Sequence, residues 1–268
     1  MACSRFEYVK KFELPDPALP GTYMVIRIDG RGFTKFSDTH DFEKPNDIAA
    51  LQVMNCAAEA VCQNFEEIII GYGQSDEYSF AFSNDSNVFE RRKEKIVSTV
   101  VSMFTAVYAM NFTKLTQKPL KLIPTFDGRL VCYPTIKILA DYFSWRQADC
   151  HINNLYNTAF WALVKQGKLD RKAAEQRLSK TLADEKNEIM YSEYGINYSQ
   201  IDPIYRKGTT IRRVWQADPE KVKKYEEIKE KEPDRKLNPP RKKQKLMITH
   251  EDIIGQAFWD RLQQEVEQ

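Results

Sequence analysis

No uninterrupted apolar run in this 268-residue chain approaches the roughly 20 residues that a membrane helix needs, so no span is expected. The first residues, Met1-Ala-Cys-Ser-Arg-Phe-Glu-Tyr8, have neither the apolar core of a signal peptide nor the basic amphipathic face of a transit peptide. Cysteine is sparse and scattered: Cys3, Cys56, Cys62, Cys132 and Cys150 are odd in number and include no CxxC pair. That spacing argues against a zinc site and for reduced thiols, hence a cytoplasmic chain, with a nuclear pool also compatible. A large charge excess is missing too. The formal net charge of +2 says little about partners, and only the local clusters Arg91-Arg-Lys-Glu-Lys95 and Arg241-Lys-Lys-Gln-Lys245 are strongly basic. Each is either a solvated face or a phosphate contact.

What is present suits a folded domain of appreciable core, with 42% hydrophobic and 29% charged residues. A strand is expected over Thr22–Ile28, apolar on both sides and therefore central, ending at Asp29-Gly-Arg-Gly. Asp47 is placed to cap a helix over Ile48–Phe65, whose Ile48, Leu51, Met54, Ala58, Val61 and Phe65 share one face. Ile68 to Phe82 reads as a hairpin whose tip carries Asp76 and Glu77. A long helix over Val88–Phe112 and a strand over Gly128–Tyr133 follow.

The order strand, helix, strand, strand, helix, strand is that of an α+β, ferredoxin-like (βαββαβ) sheet, the geometry used by polymerase palms and nucleotide cyclases. The second half reads as mostly helical: Ile136–Gln166, Arg171–Leu178 and Asp184–Glu193, then a strand over Tyr205–Trp215. Asp218 to Lys245 holds 18 charged residues among 28 and is expected to be a mobile insertion, after which Leu246–Thr249 pairs with Thr210–Val214. The expected division is a palm-like unit over 1–134 and a helical and hairpin region over 135–268.

In such a fold the first strand lies beside the third, which brings Asp29 to the hairpin tip and makes Asp76 its neighbour. Two carboxylates near one another suit Mg²⁺, which takes oxygen ligands and keeps positions for water and phosphate. Two such ions would stabilise attacking and leaving oxygens during displacement at phosphorus. Gly30 adds an unobstructed backbone carbonyl, and Glu77 could supplement the charge. Arg31, Gly32, Phe33 and Thr34 could cradle a triphosphate through backbone N–H groups. Lys44, Ser75, Arg92 and Lys95 are candidate phosphate partners, the last two at a helix start. His151, Asn153, Asn154 and Asn157, in a stretch also holding Tyr156, suit stacking on and hydrogen bonding to unpaired RNA bases, or a structural role.

Five stretches in order then make the chain specific: Asp29-Gly-Arg-Gly-Phe33, Lys44-Pro-Asn-Asp47, Gly73-Gln-Ser-Asp-Glu-Tyr-Ser-Phe80, Ser144-Trp-Arg-Gln-Ala-Asp149 and His151-Ile-Asn-Asn-Leu-Tyr-Asn157. Together they closely resemble the tRNA-His guanylyltransferase family, over Ser4 to about Gly208. The resemblance implies a polymerase-like palm working 3′ to 5′: ATP activates the 5′-phosphate of tRNA-His, the GTP 3′-hydroxyl attacks, and pyrophosphate is removed. It implies two Mg²⁺ ions held by Asp29, Gly30 and Asp76, with Glu77 beside them. Nucleotide contacts at residues 29–34, Lys44, 75–76, Arg92 and Lys95 follow from it, with tRNA contacts around His151, and so does a homotetramer without membrane attachment. Two other readings keep the same residues in play, a nucleotide cyclase and a non-catalytic RNA-binding module.

Overall fold

The computed structural model describes residues 4–231 and 238–266. The elements run β1 (Tyr23–Gly30), α1 (Phe33–Thr39), α2 (Ile48–Asn64), β2 (Ile68–Gln74), β3 (Glu77–Phe82), α3 (Lys93–Thr116), β4 (Phe126–Tyr133) and α4 (Ile136–Lys165). They continue α5 (Arg171–Leu178), α6 (Ala183–Tyr194), α7 (Pro203–Lys207), β5 (Thr209–Ala217), α8 (Pro219–Lys231), β6 (Lys242–Thr249) and α9 (Gln256–Val266). This is a mixed α/β architecture: one antiparallel six-stranded sheet in the order β4-β1-β3-β2-β5-β6, followed by a largely helical C-terminal half.

Alternation along the strands sorts side chains to the two faces. Met24, Ile26 and Ile28 of β1 and Tyr78, Phe80 and Phe82 of β3 pack against α2 and α3, where Phe104, Tyr108 and Phe112 are fully buried. By length and composition α3 would suit a bilayer, but its Ile96-Val100-Phe104-Tyr108-Phe112 stripe is core here. Val25 and Ala81 face the other way, toward Leu139 and Phe143 of α4 and Trp259 of α9. The polar residues Arg27, Asp29, Glu77 and Ser79 share that second face, because Arg27 opposes Ser79 and Asp29 opposes Glu77 in register. The far half of α4 leaves the sheet and forms a separate apolar cluster with α5 and α6 through Leu155, Ala159, Leu163, Leu178 and Met190.

Three expectations need correction. The helix expected from Val88 begins only at Lys93, because Phe89, Glu90 and Arg91 have φ of 49°, 56° and 59°. No glycine signals this left-handed turn. It is held by the buried Arg91 guanidinium, which donates to the carbonyls of Ala18, Leu19, Thr22 and Ser86. Second, Tyr205–Lys207 belongs to a short helix capped by the Asp202 carboxylate, and the strand starts at Thr209 after Gly208. Third, the stretch expected as a mobile charged insertion over 218–245 carries α8 and the start of β6 where it is described, and residues 232–237 lie outside the described residues. Straight-chain Glu and Lys are good helix formers however charged, and β6 gains a ladder by pairing with β5 from Thr210↔Thr249 to Ala217↔Lys242.

Candidate active site

The hairpin between β2 and β3 closes over Ser75 and Asp76, with Ser75 at φ 51° and Gln74 opposite Glu77. The Tyr78 ring lies against Gly73, where a Cβ would come within 2.1 Å of it, so the tip is tight because residue 73 has no side chain. The Gly30 N–H donates to the Asp76 carbonyl at 3.0 Å, and this bond fastens the end of β1 to the turn. Asp29 therefore lies next to both acids, but its partner in register is Glu77, with Asp76 one residue beyond the ladder.

The two hairpin acids have different surroundings. Glu77 is buried and already engaged: Arg27 Nη2 donates to it at 2.5 Å, Arg146 Nη1 lies 3.3 Å from each oxygen, and Gln74 donates at 3.2 Å. Arg27 Nη2 also reaches Asp29 at 2.8 Å. Among the described residues, the one side-chain donor to Asp76 is the Ser75 hydroxyl, at 3.1 Å. Burial pushes its carboxyl above the ordinary carboxylate range, with the charges of Asp29 and Glu77 adding to the rise and hydrogen bonds from Ser75 and its own backbone opposing it. With Asp149 3.6 Å from Arg146, four carboxylates face two guanidinium groups here, an excess of two negative charges.

These observations fit a divalent cation. The donors are oxygens, the charge is uncompensated, and the least compensated acid is Asp76. Among the described residues no group of three or more His, Cys, Asp or Glu is arranged as a metal cluster. The residues that could hold such an ion are Asp29 and Asp76, with the Gly30 carbonyl, a set that would leave coordination positions for water and phosphate oxygens. Because a raised carboxyl pKa means that the ionised form disfavours the folded state, neutralising it should stabilise the fold. In metal-free protein at pH 7, Asp76→Asn is expected to raise the melting temperature, measured by circular dichroism; a lower value would contradict the uncompensated charge.

A cleft of about 700 Å³ opens from the hairpin tip. Its walls are Thr34 and Ser37 of α1, the 42–47 loop, and Asn153, Asn157 and Trp161 of α4. That volume falls in the range of nucleotide-sized ligands. At the start of α1 the first-turn N–H groups lack intrahelical acceptors and Gly32 supplies no side-chain cap, whereas the N–H of Arg31 is taken by the Thr125 carbonyl. Lys44 lines the cleft with its Nζ 3.3 Å from Asp38, and Asp47 caps α2 as its position suggested.

Of the residues singled out from the sequence, Asp76, Glu77, Ser75, Phe33, Thr34, Lys44, Asn153, Asn154 and Asn157 converge on this cleft. Asn154 also joins the two sides, donating to Asn46 at 2.8 Å and accepting from Tyr198. His151 is not among the lining residues; it is exposed and packs its ring edge-on to Tyr198. Arg92 and Lys95 are exposed at the start of α3, about 20 Å along the helix from Tyr108 at the cleft, by the 1.5 Å rise per residue. Arg27 and Arg146 were not singled out. Their signals were a lone cation two residues before Asp29 in an apolar strand, and the arginine within Ser144-Trp-Arg-Gln.

Two family models cover most of the chain: tRNAHis guanylyltransferase over residues 6–134 and Thg1 C terminal domain over residues 137–255. A tRNA(His) guanylyltransferase of Neurospora crassa is 47% identical, across 97% of this chain and 94% of the relative. The crystal structure of the Saccharomyces cerevisiae tRNA(His) guanylyltransferase superposes with a TM-score of 0.75 at 42% identity, covering 78% of this chain and 93% of that one. A bacterial Thg1-like protein in complex with ATP shares the fold at a TM-score of 0.70 and 22% identity, over 97% of this chain and 96% of that chain.

Proposed function

This chain belongs to the tRNAHis guanylyltransferase family, a family of nucleotidyltransferases, and from that membership we propose that it adds a guanosine to the 5′ end of tRNA-His. The observation that carries the site assignment is Asp76, a buried carboxylate with no cationic partner, lining a nucleotide-sized cleft beside Asp29.

In this reading the N-terminal region, 1–134, is a ferredoxin-like polymerase palm, and 135–268 serves tRNA binding and assembly into a homotetramer. The strand order β4-β1-β3-β2 with both connecting helices on one face supports the palm reading. The reaction has three steps. The tRNA 5′-phosphate displaces pyrophosphate from ATP, leaving an adenylylated end. The GTP 3′-hydroxyl then attacks the tRNA phosphorus and AMP leaves. Pyrophosphate is finally hydrolysed from the added guanosine.

Asp29, Asp76 and the Gly30 carbonyl would hold two Mg²⁺ ions, which when bound stabilise the charge that builds on attacking and leaving oxygens. The chain's own residues bind and orient. Residues 32–34 offer N–H groups at the start of α1 to phosphate oxygens, while Ser75 and Lys44 flank the same opening. Asn153, Asn154 and Asn157 line the far wall and suit RNA or nucleotide hydrogen bonding. Arg92, Lys95 and His151 lie away from this cleft within one chain, so their contacts to triphosphate and tRNA would be made by tRNA spanning the surface or across a subunit boundary.

The test is incorporation. With Mg²⁺, ATP, labelled GTP and 5′-phosphorylated tRNA-His, label is expected in the tRNA. Label appearing only in a cyclic nucleotide would favour a cyclase, and no transfer at all would favour an RNA-binding module; either contradicts the proposal.

A further inference from the structure

The acid that is already neutralised tells more about the site than the acid that is not. Glu77 accepts from Arg27, Arg146 and Gln74, which together occupy both of its oxygens. A divalent cation could reach that carboxylate only by displacing a guanidinium of like charge. The contacts also come from two parts of the fold. Arg27 and Gln74 are on the sheet, whereas Arg146 projects from α4, 69 residues along the chain. Its side chain is 4% exposed, so the ion pair is screened little by solvent. The Trp145 ring covers the guanidinium, with 3.4 Å between the guanidinium carbon and the ring centre. Both Arg27 and Arg146 leave Nε without a partner, so each guanidinium is held through its terminal nitrogens at the carboxylates.

The helix bearing Arg146 is itself fixed. The Tyr142 and Ser79 hydroxyls are 2.7 Å apart, which ties α4 to β3 one turn before Arg146. The next residue, Gln147, donates to the carbonyls of Lys207 and Glu251 and accepts from the Ile253 N–H. About two to four turns further on, the same helix forms the cleft wall with Asn153, Asn157 and Trp161.

We propose that Arg146 and Glu77 form a charged strut that sets the hairpin carboxylates at a fixed distance from the α4 wall, making Arg146 a positioning residue for nucleotidyl transfer. The proposal rests on the reading of Asp29 and Asp76 as metal ligands. The strut has two consequences. It holds Asp76, the residue next to Glu77, in place relative to whatever lies against α4, where an error of about 1 Å costs on the order of a hundredfold in rate. It also sets the local charge: without Arg146 the excess of two negative charges becomes three, and without the Glu77 charge it becomes one.

Mn²⁺ binding to the full chain, measured by electron paramagnetic resonance, separates these effects when it is read beside single-turnover guanosine transfer. Arg146→Met is expected to bind Mn²⁺ more tightly, by about tenfold from the Coulombic effect of one lost cation, while transfer slows about a hundredfold. Glu77→Gln is expected to bind Mn²⁺ more weakly by a similar factor without losing it. In the Glu77→Gln/Arg146→Met double variant the affinity returns toward that of the unaltered protein. Tighter metal binding with slower chemistry is not what a merely loosened fold produces.

Should Arg146→Met not fold, as judged by circular dichroism, Arg146→Lys keeps the charge but loses the planar two-oxygen contact and the stacking. It is expected to leave Mn²⁺ affinity within about twofold and to slow transfer about tenfold. Unchanged Mn²⁺ affinity in both Glu77→Gln and Arg146→Met overturns the strut. So does complete loss of Mn²⁺ in Glu77→Gln, which would make Glu77 a ligand. Absence of Mn²⁺ binding in the unaltered protein, or its persistence in Asp76→Ala, instead overturns the metal platform and with it the strut.

Discussion

Asp76→Ala is expected to reduce guanosine transfer by about a thousandfold or more, equivalent to roughly 4 kcal/mol of transition-state stabilisation, while tRNA affinity stays within about twofold. The asymmetry follows from the residue's surroundings. Asp76 has no basic side chain among its hydrogen-bond partners, and its carboxyl is pushed up by burial and by two neighbouring acids. Such a group repels phosphate unless a cation intervenes, so it adds nothing to RNA affinity, which comes from many distributed phosphate contacts. Its removal leaves Asp29 as the sole carboxylate of the pair while Glu77 remains committed to Arg27 and Arg146. Transfer under single-turnover conditions and tRNA binding by filter retention measure the two halves of the prediction. Retained transfer would remove Asp76 from the site, and a parallel loss of tRNA affinity would make its role structural.

Gly30→Ala is expected to cost about a hundredfold in kcat/KM and to lower the melting temperature by several degrees. The cause is contact rather than backbone conformation. A Cβ on residue 30 would lie 2.4 Å from Cδ2 and 2.7 Å from Cγ of Phe33. That ring cannot retreat, because it is stacked on Phe36 at 4.8 Å and packed against Phe126 and Tyr108 at 4.9 and 5.9 Å. The strain must therefore move α1, and with it Thr34 and Ser37 on the cleft wall. It would also disturb the Gly30 N–H bond to the Asp76 carbonyl that locks strand to turn. Adding Phe33→Leu to Gly30→Ala should recover part of the activity by relieving the clash. A double variant no better than the single would place the cost elsewhere.

Much of this architecture was legible in local sequence. A short loop between two apolar runs announced the β2–β3 hairpin, Asp47 marked the start of α2, and the whole of α5 ran from Arg171 to Leu178 as its pattern indicated. The nearness of Asp29 to Asp76 followed from strand order alone. The register was harder to read. It sets Glu77, not Asp76, directly across from Asp29, a distinction of one residue that depends on where the turn closes. Arg27 and Arg146 escaped notice because their partner is 50 and 69 residues away, and no local period reveals such a pairing. The left-handed turn at residues 89–91 was hidden for the same reason: it is imposed by a buried arginine reaching carbonyls some 70 residues earlier, not by glycine. Arg92 and Lys95 show the limit of spacing arguments. Their charge was readable, but the length of α3 carries them to the end away from the cleft.

We propose that Asp29, Asp76 and the Gly30 carbonyl form a cation platform and that Glu77 is its support. Anomalous diffraction from crystals grown with Mn²⁺ and GTP tests it most directly. The predicted result is a manganese peak about 2 Å from carboxylate oxygens of Asp29 and Asp76, with triphosphate oxygens completing the coordination and Glu77 still bound to Arg27 and Arg146. A peak seated on Glu77 with Asp76 unengaged, or ordered GTP without metal at these residues, would contradict it.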